Sequence, residues 1–295
     1  MKKICLLMLL TLVLVLQGCM TYNPFLENTT DTTQASSATS STREDNPEPE
    51  PGPTPNFVYV SEHANALKPY LSAAGNPLYL LLMNKQVNQF GTERYVPQNL
   101  TTLDTRVTWG GKTIELEARA AMALYAMLAE MAADGIRSLR VTSAYRSYEY
   151  QTELYETYKA REMRVLSSEA YEFFGGEYIQ NKYVANGLSG LDYADAEKVA
   201  NYYSARPGTS EHQTGLCVDF MLYHSKDLDN TFAQTEEFRW LSENAYRFGF
   251  ILRYPEGKTD ITGYVYESWH YRYVGREAAA EIYFGNLTLE EYLNS

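Results

Sequence analysis

The chain is short of three things. It has three cysteines, Cys5, Cys19 and Cys217, in 295 residues, too few for a disulfide framework. It has four histidines, so any in chemically suggestive surroundings stand out. It is short of positive charge: 25 Lys and Arg face 37 Asp and Glu, a net charge of −12. That balance excludes a protein that grips nucleic-acid phosphates or anionic lipid through bulk charge. The apolar run Ile4–Leu16 falls short of the ~20 residues of a comfortable membrane span. What is present is an ordinary globular composition, 45% hydrophobic and 21% charged, which excludes a wholly disordered chain. Tyrosine is abundant, at 26 residues; its flat face and hydroxyl suit a polar groove and an ordinary sheet alike.

The N-terminus reads as an address. Lys2 and Lys3 precede the apolar run, and Gln17-Gly18-Cys19 follows it, the layout of an export signal. Leu16-Gln17-Gly18-Cys19 resembles a bacterial lipobox, which implies a signal peptide over 1–18 and lipidation of Cys19. A plain cleaved signal or an uncleaved anchor would share the same charge and apolar pattern. Residues 19–56 are rich in Ser, Thr, Asn, Pro and Glu. They hold too few apolar side chains to offset chain entropy, so they read as a tether. The folded domain is expected over 57–295.

Within that domain, expected strands are Phe57–Val60, Leu78–Met83, Leu139–Ser143, Leu216–Leu222 and Tyr264–Tyr273. Expected helices are Ile114–Asp134, Tyr148–Met163, Tyr193–Tyr203, Thr235–Tyr246 and Arg276–Phe284. No βαβ rhythm appears, which favours an α+β fold with an antiparallel sheet.

Three stretches carry chemistry. Ser210-Glu211-His212-Gln213-Thr214-Gly215-Leu216-Cys217-Val218-Asp219 runs into an apolar strand that holds a carboxylate, an expensive placement unless the group is paired or metal-bound. Glu267-Ser268-Trp269-His270 places a histidine three residues after a glutamate. A zinc hydrolase needs three protein ligands, an open position and a base off the metal. His212, Asp219 and His270 fit as ligands and Glu267 as base. Strand alternation would put Glu267 and His270 on opposite faces, so a shared metal requires the strand to bulge or to begin near Glu267. The third stretch, Ser143 to Gln151, offers Arg146 as a fork for a substrate carboxylate, with Gln151 adding an amide beside it.

Together these stretches resemble the VanY-type zinc D,D-carboxypeptidases of the M15 peptidases. The resemblance rests on Ser210, His212, Gly215 and Asp219, on Glu267, Trp269 and His270, and on Tyr145-Arg146-Ser147. It implies a small antiparallel sheet flanked by helices around Zn2+. It also implies hydrolysis of a C-terminal D-Ala from peptidoglycan stem peptides, D,D in preference to L,D. Ser210 and Gln151 would then hydrogen-bond the substrate, and Trp269 would wall the pocket or pack in the core. The alternative is a zinc-containing cell-wall-binding lipoprotein without turnover. Two departures stand out: Cys217 replaces a residue commonly small, such as Ala, and 162–193 looks long enough to form a lid or a decorated loop. The expected setting is outside the cytoplasm, membrane-anchored, with a stem peptide as partner and no nucleic acid.

Overall fold

The structure, a computed structural model, describes residues 58–166 and 193–295. The signal and tether calls, Cys19, and 167–192 of the proposed lid lie outside the described residues. All described residues fall in one compact unit.

The strands are β1 (Leu100–Thr102), β2 (Glu115–Glu117), β3 (Leu139–Ser143), β4 (Cys217–Leu222), β5 (Phe250–Leu252) and β6 (His270–Tyr273). Strands β1 and β2 pair with each other, and the others form an antiparallel sheet in the order β3-β4-β6-β5. The helices are α1 (Glu62–Ala66), α2 (Ala118–Ala133), α3 (Tyr148–Leu166), α4 (Tyr193–Tyr203), α5 (Glu236–Asn244), α6 (Thr259–Thr262), α7 (Arg276–Gly285) and α8 (Leu289–Leu293). The expected α+β class with a small antiparallel sheet is what the chain adopts.

Alternation gives the sheet two different faces. Val218 pairs with Tyr271, and Phe250 with Tyr273. With Phe220 these side chains share one buried cluster with Leu124, Met127 and Met131 of α2. The opposite face carries Cys217 beside Arg272 and Asp219 beside His270. The apolar face therefore anchors the sheet to α2, and the polar face is left for chemistry.

Several expectations need correcting. Val58–Val60 is not a strand: Val60 and Ser61 donate their backbone N–H groups to the Glu130 carboxylate, both at 2.8 Å, and Tyr59 inserts into the core. Leu78–Met83 is not a strand either. Pro77 opens a 3-10 turn to Leu80, and the Asn76 side chain accepts from Leu78 N–H. The long helix starts at Ala118 rather than Ile114, because Glu115–Glu117 pairs with β1 and the Glu117 carboxylate then caps Arg119 and Ala120. The helix after Thr235 gives way at Ala245 to a 3-10 turn that ends at Gly249. Strands β1, β2 and β5 are only three residues each, too short to show a period.

Candidate active site

Each site residue is placed by a local device. Ser210 precedes a 3-10 turn, Glu211–Thr214, that ends at Gly215 with φ 67°. A side chain there would meet Leu100 Cδ2 at 3.0 Å and Pro97 Cγ at 3.2 Å, so glycine is required on both counts. The turn aims His212 inward and starts β4. Its Nδ1 donates to Ala144 O at 2.6 Å, leaving Nε2 3.2 Å from Asp219 Oδ2.

On β6 the expected strand from Tyr264 is corrected. The strand begins at His270, and Glu267 to His270 is a tight turn closed by His270 N–H to Glu267 O at 3.2 Å. That turn brings both side chains to one side without a bulge in β6. His270 Nδ1 lies 2.8 Å from Asp219 Oδ1 and 4.0 Å from Glu267 Oε2.

The bulge lies in β3 instead: Val141 pairs with Phe220 and Ser143 with Asp219, so Thr142 is the extra residue. Such a bulge re-aims the chain that follows it. The Arg146 backbone N–H then bonds His212 O at 3.1 Å. Its guanidinium donates to Ser143 Oγ and to Asp219 Oδ2, both at 2.9 Å, and to Gln151 Oε1 at 3.5 Å.

His212, Asp219, His270, Glu267, Arg146, Ser210 and Trp269 all line one cleft of about 320 Å³. Trp269 also packs against the core. Gln151 corrects the expectation: it is fully buried, absent from the cleft wall, and donates to Ala205 O at 2.8 Å. It touches the cleft wall from behind, through Arg146, Ser204 and Ala205.

The donor set suits a zinc ion. Two imidazoles and a carboxylate converge in a buried place, and each imidazole has its second nitrogen occupied, His212 by a carbonyl and His270 by a carboxylate 3.4 Å from its Nε2. That is the support metal-binding histidines usually have. The supporting carboxylate belongs to Glu211, which sequence reasoning passed over. Its Oε1 accepts from Arg253 Nε at 2.8 Å and Arg272 Nη1 at 2.7 Å. Arg253 is paired in turn with both oxygens of Glu290 on α8. Burial opposes the charge on Glu211, but the two guanidiniums and His270 outweigh it and hold its carboxyl well below the usual range. Among the described residues no guanidinium is recorded hydrogen-bonding Glu267. Burial, with Asp219 adding to it, raises its carboxyl to about 7 against the pull of His270, His212 and Arg146. The available signals were Arg272 alternating with His270 on β6 and Glu211 inside the first motif.

A family model described as VanY, D-alanyl-D-alanine carboxypeptidase, matches residues 113–276, a stretch that contains every cleft residue named above. A D-alanyl-D-alanine carboxypeptidase of Enterococcus faecalis (strain ATCC 700802 / V583) is 50% identical over 119 residues, 40% of this chain and 42% of that protein. The match thus spans less than half the length of that relative. The protein YodJ of Bacillus subtilis (strain 168) is 34% identical over 242 residues, 80% of this chain and 76% of that one. Among solved structures, a vancomycin-resistance D,D-pentapeptidase VanY variant in complex with Zn(II) is 38% identical, with TM-score 0.54, covering 74% of this chain and 99% of that one. The LD-carboxypeptidase LdcB is 33% identical, with TM-score 0.56, covering 75% and 88%.

Proposed function

The chain belongs to the VanY family of D-alanyl-D-alanine carboxypeptidases, and from that premise we propose that it is a zinc-dependent carboxypeptidase that removes a C-terminal D-Ala from peptidoglycan stem peptides. The observation that carries the reading is Glu267: a buried carboxylate, 4.0 Å from His270, in the wall of the cleft that His212 and Asp219 also line. A protein that only binds cell wall has no need of a base there, which weighs against the non-catalytic lipoprotein.

His212 through Nε2, Asp219, and His270 through Nδ1 would hold the zinc. When bound, the ion supplies Lewis acidity toward the scissile carbonyl and a water. Glu267 takes the proton from the attacking water and hands it to the leaving amine; a carboxyl near 7 is matched to doing both around neutrality. Of the five N–H donors of Arg146, three serve Ser143, Asp219 and Gln151. The other two are available to the terminal carboxylate of a peptide, which makes the enzyme cut at a chain end. The Ser210 hydroxyl hydrogen-bonds the substrate backbone, and Trp269 walls the pocket.

D,D cleavage of a pentapeptide stem is the first reading. The likeness to an LD-carboxypeptidase supports a second, cleavage of the L-centre–D-Ala bond of a tetrapeptide stem. Incubation with defined penta- and tetrapeptide stems, with D-Ala quantified, tests both. Release from neither stem would refute the function.

The export signal and Cys19 support a further reading, that the enzyme works outside the cytoplasm on a lipid anchor at the cell envelope. Metabolic labelling with a fatty acid should mark the wild type and not Cys19→Ala. Equal labelling of both would overturn that reading.

A further inference from the structure

Of the described Arg, Asp, Glu and His residues that line the cleft, Arg161 is the one without a part in the centre above. It stands on α3, and its side chain is half exposed, at 50%. Gln151, Tyr155 and Glu162 form the buried stripe of that helix, at helical spacing. Tyr158 and Arg161 flank the stripe where α3 borders the cleft. The Arg161 guanidinium lies over the Tyr158 ring, 5.4 Å from its centroid. It therefore leans toward the N-terminal end of α3, as helical side chains do. Its Nη2 is 3.3 Å from Glu162 Oε1; a guanidinium has five N–H donors, so it can serve that carboxylate and a ligand together.

Gln151 touches Arg146 and marks the terminal-carboxylate end of the cleft. From Gln151 to Arg161 the helix rises roughly 15 Å, and the lean onto Tyr158 shortens the gap to roughly 10 Å. An extended peptide covers about 10 Å in three residues. A cleft of about 320 Å³ is in the size range that takes a whole small ligand rather than one residue. A peptide whose terminal carboxylate sits on Arg146 thus meets a second cation about three residues upstream. That cation attracts an acid and repels an ammonium group.

We propose that Arg161 is a specificity residue that binds a second carboxylate of the stem peptide, carried about three residues upstream of its terminus. Two groups in stem peptides have that chemistry: the α-carboxylate of a γ-linked glutamate, and the side-chain carboxylate of a diaminopimelate that stands in place of lysine. Arg161 hydrogen-bonds the group as a fork, while Arg146 holds the terminus. This deepens the carboxypeptidase reading and rests on it.

The test uses the zinc-loaded full chain and stem peptides that differ only in these groups: glutamate or its α-amide, and diaminopimelate or lysine. Wild type should lose about tenfold in kcat/KM, chiefly through KM, when the carboxylate held by Arg161 is amidated or absent. The pair of peptides that shows the loss identifies the group. In Arg161→Gln the discrimination should shrink to within about twofold, and Arg161→Lys should restore part of it. A wild type indifferent to both groups overturns the proposal. So does an Arg161→Gln protein that discriminates as well as wild type. Should no stem release D-Ala, the function above fails, and calorimetric Kd values for the same peptides read the contact alone: the same preference is expected, and equal Kd values for all of them are contrary.

Discussion

Replacing Glu211 with Gln removes one charge and almost no volume from a buried carboxylate held by two guanidiniums. In the wild type, Oε1 of Glu211 is shared by Arg253 and Arg272, both fully buried. After the change Arg253 keeps Glu290. Arg272 keeps only the neutral carbonyls of Tyr79, Leu81 and Tyr273. One buried positive charge is then uncompensated, at a cost of about 3–5 kcal/mol. For a domain of this size each kcal/mol is worth roughly 2–4 °C, so the melting temperature at pH 7 should fall by about 6–20 °C. The carboxyl's folded-state pKa is depressed, so its contribution is complete above the unfolded value of ~4.3 and is lost only as pH falls below it. Thermal melts followed by circular dichroism should therefore show a gap between the two proteins that is constant from pH 6 to 8 and closes in acid. Glu236→Gln is the contrast: its pair with Arg239 is about two-thirds exposed on both sides, and its loss should cost no more than ~0.5 kcal/mol. If Glu211→Gln melted within about 2 °C of wild type at pH 7, the charge accounting of this face would be wrong.

Other outcomes follow from the same geometry. Arg146→Lys keeps a cation but loses the fork, and kcat/KM on a stem peptide should fall about tenfold or more; an unchanged value would remove Arg146 from substrate binding. Gly215→Ala forces a side chain into a left-handed turn against Leu100 and Pro97 and should cost about 1–3 kcal/mol in a denaturant titration. Phe220→Ala opens a cavity between the sheet and α2 and should cost roughly 3–5 kcal/mol; a loss under ~1 kcal/mol would mean that the two are not packed as described.

How much of this was legible in the chain depended on distance along it. The two motifs and Arg146 could be read because each is a local pattern whose chemistry is expensive without a function. A fully buried Asp219 in an apolar strand is the clearest case. Gln151 was misassigned because its orientation depends on α3 meeting Ala205, 54 residues away, and no periodicity within α3 encodes that. Glu211, Arg253 and Arg272 were missed for the same reason, since their pairings span 42 and 61 residues. The apolar run Leu78–Met83 suggested a strand because apolar content does not distinguish a buried strand from a buried turn. Pro77 and the Asn76 cap decided the matter. Whether the strand bulged or began near Glu267 was decided by a turn closed by His270 N–H to Glu267 O, which no side-chain pattern reveals.

The central claim is that this chain is a zinc hydrolase whose base is Glu267. The direct measurement is D-Ala release from a defined stem peptide by wild type and Glu267→Gln, with bound zinc determined on the same samples. The account predicts equal zinc in both proteins and a kcat/KM lower by ~10²–10⁴-fold in the variant. Release of D-Ala by Glu267→Gln at the wild-type rate would contradict it.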